Sequence, residues 1–206
     1  MGLVRLSALG QLATINQGLN TSGRGAGARP GDWQVRVASV GNIRDDRLAL
    51  DDLEVLAIDQ NARTEKHLLR PDDVLITARS TVVKVALVPP AATRTVADAT
   101  LLVVRAHDPG VGPYLWWFLA SAFGRRQVEA RMSGSTTLLS LSAGALGEVV
   151  IPLPRPRELT LIADLAEVSE RAYAAATEAA RLRRTLFRDA IIDRLRLAAG
   201  ATGAGR

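Results

Sequence analysis

The sequence has no cysteine, only two histidines and only two lysines. Without cysteine there are no disulfide staples, no thiolate metal sites and no cysteine nucleophile. With His67 and His107 as the only imidazoles, a histidine-rich metal cluster is not expected, and each reads as a surface or satisfied polar residue. Long apolar runs are missing too. The longest, residues 114–123, is about half of the ~20 residues a membrane-spanning helix needs. The opening MGLVRLSALG lacks a secretory hydrophobic core. Leu6 stands where a myristoylation signal carries Ser or Thr. The expected location is the cytoplasm.

Catalytic motifs are equally scarce. No GxGxxG follows a strand, and there is no GxxxxGK[ST], HExxH or GxSxG. Nothing resembles a methyltransferase cofactor loop. Pro71-Asp72 followed by apolar residues would suit a metal-dependent nuclease only with a nearby Glu-x-Lys, and Glu65-Lys66 lies upstream at the wrong spacing. No catalytic residue, metal or cofactor is expected.

What remains is a chain of 206 residues and 22.0 kDa, 48% hydrophobic and 23% charged. That is a globular composition, and a chain of this size hides roughly 70% of its unfolded surface. Lys and Arg number 26 against 21 Asp and Glu, a net charge of +5, nearly all of the positive charge being arginine. This balance permits an anionic partner.

The composition shifts near residue 155. Before it, short β-rich runs alternate with Gly, Pro, Asp and Asn. Residues 33–40 (WQVRVASV) alternate apolar and polar, and 74–77, 82–88, 101–105 and 149–153 are β-branched runs, so five strands are expected. Residues 113–131 predict one internal helix, with Pro113 in its first turn and at least one of Trp116 and Trp117 in the core. The fold class is therefore α/β (α+β), a mixed-sheet domain over residues 1–155. The segment IPLPRP (151–156) is a stiff exit, because each proline biases its predecessor towards extended geometry. A long helix over 156–198 and a disordered tail over 199–206 follow.

Heptad positions Leu161, Leu165, Val168, Ala172, Ala175, Ala179, Leu182 and Leu186 are all apolar, and the register fails at Asp189, after which Ala190, Ile191 and Leu195 continue it with a shift. Two readings are open: a helix–helix seam, or an amphipathic helix lying on its own domain. Charge along the helix is polarised, with a net of −3 over 157–178 and +4 over 181–196. The helix dipole favours that order. Two antiparallel copies would also set acidic halves beside basic ones, crossing near residues 173–174 with Asp164 near the partner's Arg183 or Arg184 and Glu167 near the partner's Arg181.

Basic residues are spread over the first region, whose net charge through residue 155 is +3. Arg24 and Arg29 sit in the Gly-rich stretch 21–31 (TSGRGAGARPG), which no phosphate-binding helix follows directly. Arg79, Ser80, Thr81 and Lys84 fall between two strands, and Arg125, Arg126 and Arg131 close the internal helix. On loops or helix ends these side chains suit contact with phosphates and base edges.

The order of segments resembles one half of a type I restriction–modification specificity subunit, a target recognition domain followed by a spacer helix. The segments are LSALGQLATINQG (6–18), VRVASVGNIRDDRL (35–48), LLRPDDVLITARSTVVKVALV (68–88) and GPYLWWFLASAFGRRQVEARMSGSTTLLSLSAGALGEVVIPLPRPRE (112–158). Departures are Asp72 where the family usually has glycine, no glycine at Ser80-Thr81, and Leu159 where glutamine is usual. Family members carry two such halves and read a bipartite DNA site. The resemblance implies a non-catalytic DNA-recognition subunit of a phage-defence restriction system. It would bring methyltransferase subunits, and a restriction translocase where the system has one, to double-stranded DNA. Its DNA-contact set would be Arg24, Arg29, Arg79, Ser80, Thr81, Lys84, Arg125 and Arg126, and its partner helix an antiparallel homodimer. The alternatives are a coiled-coil scaffold without DNA binding and a stand-alone metal-dependent nuclease.

Overall fold

The chain begins with a strand that pairs with one almost 150 residues later. In the computed structural model, which describes residues 5–21, 33–58, 60–135 and 138–203, β1 (Arg5–Ala8) leads through the short helix α1 (Leu9–Leu12) into β2 (Ala13–Gln17). Then come β3 (Trp33–Ala38), β4 (Ile43–Arg44), β5 (Arg47–Leu48), β6 (Glu54–Ile58), α2 (Ala62–Glu65), β7 (Val74–Thr77), β8 (Arg79–Ser80) and β9 (Val85–Leu87). The globule is completed by β10 (Thr95–Ala97), β11 (Leu101–Ala106), α3 (Val111–Ala120), α4 (Ala122–Glu129), β12 (Ser133–Ser135), β13 (Leu138–Ser140), α5 (Ala143–Gly147) and β14 (Val150–Leu153). Helix α6 (Pro156–Gly203) follows. The chain divides into two units, Met1–Ala163 and Asp164–Arg206.

The main sheet of the first unit has six strands in the order β2-β11-β7-β9-β5-β4, mostly antiparallel with one parallel step, β5 to β9. Its central strands β7, β9 and β11 are apolar except at Thr77 and Arg105, because both faces are covered. On one face Leu75, Ala86, Leu101 and Val103 join a cluster with Ile43, Leu48 and Leu69. Their alternates on the other face, Val74, Ile76, Val85 and Val104, are buried where α3 packs over β7, β9 and β11. A second sheet, β10-β3-β6, has its own cluster of Leu19, Val35, Val37, Ile58 and Val96. The small sheet β12-β13-β8 and the ribbon β1-β14 complete the unit.

The single internal helix expected over 113–131 is two helices, broken at Ser121. The Ser121 hydroxyl donates to the Phe118 carbonyl at 2.6 Å and accepts the Gly124 N–H at 3.1 Å, ending one helix and capping the next. Gly124 allows the break: a Cβ there would lie 2.1 Å from the Phe118 oxygen. Of the two tryptophans, Trp116 is buried and Trp117 is 45% exposed. The expected strands near 74–77, 101–105 and 149–153 are present, whereas 82–88 contributes only Val85–Leu87, flanked by Lys84 O, which accepts the Thr77 N–H at 3.1 Å, and the Val88 N–H, which donates to Asp73 O at 2.8 Å.

Three turns carry left-handed backbone at non-glycine residues, one of them at Arg94 (φ 47°) just before β10. Asp45 and Asp46 (φ 48° and 58°) form the two-residue hairpin between β4 and β5, a geometry with both central residues at positive φ. Asp72 (φ 67°) occupies the turn before β7, which explains why glycine suits this place in the resembling family. Burial, and then the neighbouring Asp73, hold the Asp72 carboxyl above its ordinary value. Gly112, at the start of α3, lies against this turn, and a Cβ there would come within 2.2 Å of the Asp72 oxygen.

The described residues of the second unit lie within helix α6, which runs five residues past the expected end at 198; residues 204–206 lie outside the described residues. Among the described residues no helix is long and apolar enough to cross a membrane.

Candidate nucleic-acid interface

A polar cleft of about 500 Å³ opens where β2, the β10–β11 turn and β8 converge. The residues that matter chemically are Gln17, Asn20, Thr21, Arg79, Asp98 and Thr100. Its wall is rigid. The Asp98 carboxylate accepts the Thr100 N–H at 2.9 Å and also the Thr100 hydroxyl, whose oxygen accepts the Val40 N–H at 3.0 Å. The Gln17 side-chain amide donates to the Ala99 carbonyl at 3.1 Å. Gly18 lets β2 close onto this turn: its N–H reaches Leu101 O at 2.9 Å, and a Cβ would sit 1.9 Å from Asp98 O.

Arg79 and Ser80 form the strand β8, held between the Thr100 carbonyl and β13. Arg79 is exposed, and no ion pair engages it among the described residues. The Ser80 hydroxyl accepts the Val82 N–H at 3.3 Å, turning the chain so that Thr81 is exposed at the tip. The cleft thus combines one guanidinium, two carboxamides and hydroxyls, the groups that bind phosphate and read base edges, with one carboxylate, Asp98, engaged by Thr100. Thr21, on its rim, is where the Gly-rich stretch begins; Arg24 and Arg29 lie outside the described residues.

The remaining expected contacts separate into two kinds. Arg126 is exposed on α4. Lys84 and Arg125 are committed inside the fold. The Lys84 ammonium donates to the carbonyls of Val40 (3.2 Å) and Ile43 (3.0 Å), tying β9 to the turn before β4. The Arg125 guanidinium donates to Ala120 O at 2.9 Å and to Val83 O, and pairs with Asp46. Trp116 Nε1 donates to Asp46 O at 3.1 Å, so the same hairpin turn is clamped from two sides. Cations engaged in this way tie loops together and have fewer donors left for a phosphate than Arg79 or Arg126. Arg131 likewise donates to Gln127 O (2.9 Å) and Glu148 O (3.0 Å). Gln17, Asn20 and Asp98 escaped the sequence reading; the signal was the polar run NQGLNTSG (16–23) ahead of the glycines.

His107 Nε2 lies 3.2 Å from the Thr14 hydroxyl, a satisfied polar contact. No group of three or more acidic or imidazole side chains suited to a metal ion occurs among the described residues.

On α6 the heptad residues Leu161, Leu165, Val168, Leu182 and Leu186 are all exposed, as are Tyr173 and Phe187. Glu167 pairs with Arg171 and Glu178 with Arg181 within the helix. Both pairs are exposed to solvent, which screens them and leaves them little weight in stability. The Arg181 pairing holds the Glu178 carboxyl below its ordinary value.

A mixed-sheet α/β globule followed by one long helix defines the class. The comparisons place it further: the chain has the fold of one half of a type I restriction–modification specificity subunit. The HsdS subunit from Thermoanaerobacter tengcongensis matches over 83% of this chain and 43% of its own, at 17% identity and TM-score 0.58. The type I restriction–modification S subunit from M. genitalium matches over 86% and 42%, at 14% identity and TM-score 0.55. The type IIG restriction endonuclease BpuSI matches over 79% and 26%, at 12% identity and TM-score 0.54. The chain therefore spans less than half the length of each. No family model matches the sequence, and no curated protein matches it.

Proposed function

We propose that this protein is a half-length, non-catalytic DNA-recognition subunit of a cytoplasmic restriction–modification complex, working as an antiparallel homodimer. Each copy reads one half of a bipartite, inverted-repeat site on double-stranded DNA. The paired helices set the gap between halves, and methyltransferase subunits, with a restriction subunit where the system has one, supply the chemistry. DNA contact falls to Arg79, Ser80, Thr81 and Arg126, with Gln17 and Asn20 in the cleft and Arg24 and Arg29 beyond Thr21.

The observation that carries this reading is the self-complementarity of α6. About a point between residues 173 and 174, Leu161 mirrors Leu186, Leu165 mirrors Leu182, Val168 mirrors Ala179 and Ala172 mirrors Ala175. An antiparallel copy thus sets leucine on leucine at both ends of the seam and alanine on alanine at its centre, where backbones approach closely. Asp164 falls opposite the partner's Arg183. All the leucines of this seam are exposed in the single chain.

The test has two arms. Methylated motifs are mapped in cells with and without the gene, and its presence is expected to add one motif with two inverted identical halves. DNA affinity of the subunit in complex with its methyltransferase is then measured against salt. Arg79→Ala and Arg126→Ala are each expected to reduce the salt slope by about 1 through lost counterion release, while Lys84→Met leaves the slope unchanged. A monomeric subunit with no effect on any methylated motif refutes the reading.

A further inference from the structure

The helix is longer than its own mirror image can cover. In the antiparallel pair proposed above, on which this inference rests, Pro156 at the start of one helix lies level with Ile191 of the other copy. Residues beyond Ile191 run on for about 18 Å at 1.5 Å per residue with no helix opposite them. Yet the apolar stripe does not stop there: Ile191, Ile192 and Leu195 are exposed, Leu195 at 61%, and lie on one side of the helix at i, i+1 and i+4. The heptad register changes at Asp189, level with Glu158, where the helical mate is about to end.

A receiving surface exists at that level. Strand β14 ends at Leu153, three residues before the helix begins. In the β1-β14 ribbon Leu6 pairs with Pro152 and Ala8 with Val150, while the alternate pair Ser7 and Ile151 is buried. Direct partners share a face, so Leu6, Ala8, Val150 and Pro152 make an outward apolar strip, with Leu6 68% exposed. The Tyr114 hydroxyl donates to Pro152 O, and the half-exposed Trp117 ring has its centroid 6.2 Å from that of Tyr114.

We infer that the ribbon face around Leu6, Val150 and Trp117 is the docking surface for Ile191, Ile192 and Leu195 of the second copy. The dimer is then closed by two further identical contacts, one at each end of the helical seam. Each makes the orientation of a recognition globule depend on the partner's helix, which fixes the spacing between the two DNA half-sites more tightly than a helical seam alone. The register shift after Asp189 follows, because a helix facing a ribbon does not need the heptad that a helix facing a helix requires.

The absence of cysteine makes the test direct. Leu6→Cys and Leu195→Cys are introduced into separate chains at exposed positions, mixed, and treated with a short bis-maleimide. A covalent heterodimer is expected from the mixture, and little product from either variant alone. The seam is probed in parallel with the doubly substituted Ala172→Cys/Ala175→Cys chain. Leu6→Asp, a change in the globule, is also expected to weaken self-association at least about tenfold by sedimentation, because the change occurs at both ends of the dimer. If the seam cross-links but the 6–195 pair does not, and Leu6→Asp leaves association unchanged, this inference fails and the dimeric recognition subunit stands. If neither pair cross-links and the wild-type chain is monomeric, both fail.

Discussion

Removing the Asp73 carboxylate tests whether the main sheet is held by one buried ion pair. The Asp73 side chain is 2% exposed. It accepts Arg105 Nε at 2.8 Å, Arg105 Nη2 at 2.6 Å and the Arg70 N–H at 2.8 Å, and the same Nη2 donates to Leu68 O at 2.9 Å. This arrangement joins the turn ahead of β7 to β11, the strand at the centre of the contact between β2 and β7. Asp73→Ala leaves a guanidinium with 25% exposure and no counter-ion. Breaking a buried pair in this way costs about 3–5 kcal/mol. With a urea dependence of about 2–3 kcal/mol per molar for a unit of this size, the midpoint falls by about 1–2 M. Tryptophan fluorescence reads the globule alone, since Trp33, Trp116 and Trp117 all lie in the unit Met1–Ala163. In Asp73→Ala/Arg105→Met both charges are gone, and most of the loss is recovered. A single-variant shift below about 0.3 M, or a double variant as unstable as the single, refutes the reasoning.

Two further outcomes follow from buried groups and close approaches. Burial pushes the Tyr114 hydroxyl up to about 12 from 10.0, so the folded state holds this proton more tightly than the unfolded chain. Its contribution is complete below pH 10 and is lost between pH 10 and 12, on the order of 2 kcal/mol. Tyr114→Phe is expected to flatten that part of the stability–pH curve, at a cost of about 1 kcal/mol at neutral pH for the hydrogen bond to Pro152. An unchanged alkaline limb counts against it. Gly18→Ala forces a methyl group to within 1.9 Å of Asp98 O, so β2 must part from the β10–β11 turn. Thermal unfolding should show a loss of about 2–4 kcal/mol, accompanied by weaker DNA binding through the displaced cleft. A loss below about 0.5 kcal/mol shows that the approach is not tight.

Much of the fold was legible because its signals are local. Residues 74–77 and 101–106 are strands because β-branched side chains fill a sheet covered on both faces. The long helix is legible because nothing in it breaks the backbone and its apolar residues recur every three or four positions. The start of the long helix at Pro156 was legible from prolines that no helix interior tolerates. The break at Ser121 was hidden, since serine and glycine stop a helix only when a neighbouring carbonyl comes close enough to exploit them. The opening segment 6–18 carries no such local signal, and it is strand, helix and strand because β1 is a strand only through pairing with β14.

The candidate site divides in the same way. Arg79, Ser80 and Thr81 were identifiable from residue type and from their place between strands. Lys84 and Arg125 looked equivalent to Arg79 in one dimension, and only the folded chain delivers the carbonyls of Val40, Ile43 and Val83, and Asp46, to their charged ends. The sequence by itself determined the class of the chain, one α/β globule and one helix whose apolar stripe reads the same from either end. These are properties of neighbouring residues and of periodicity. Only the tertiary structure decided which cations face outward and which polar residues line the cleft, because a side chain's partners are set by strand pairings that span the whole length of the globule.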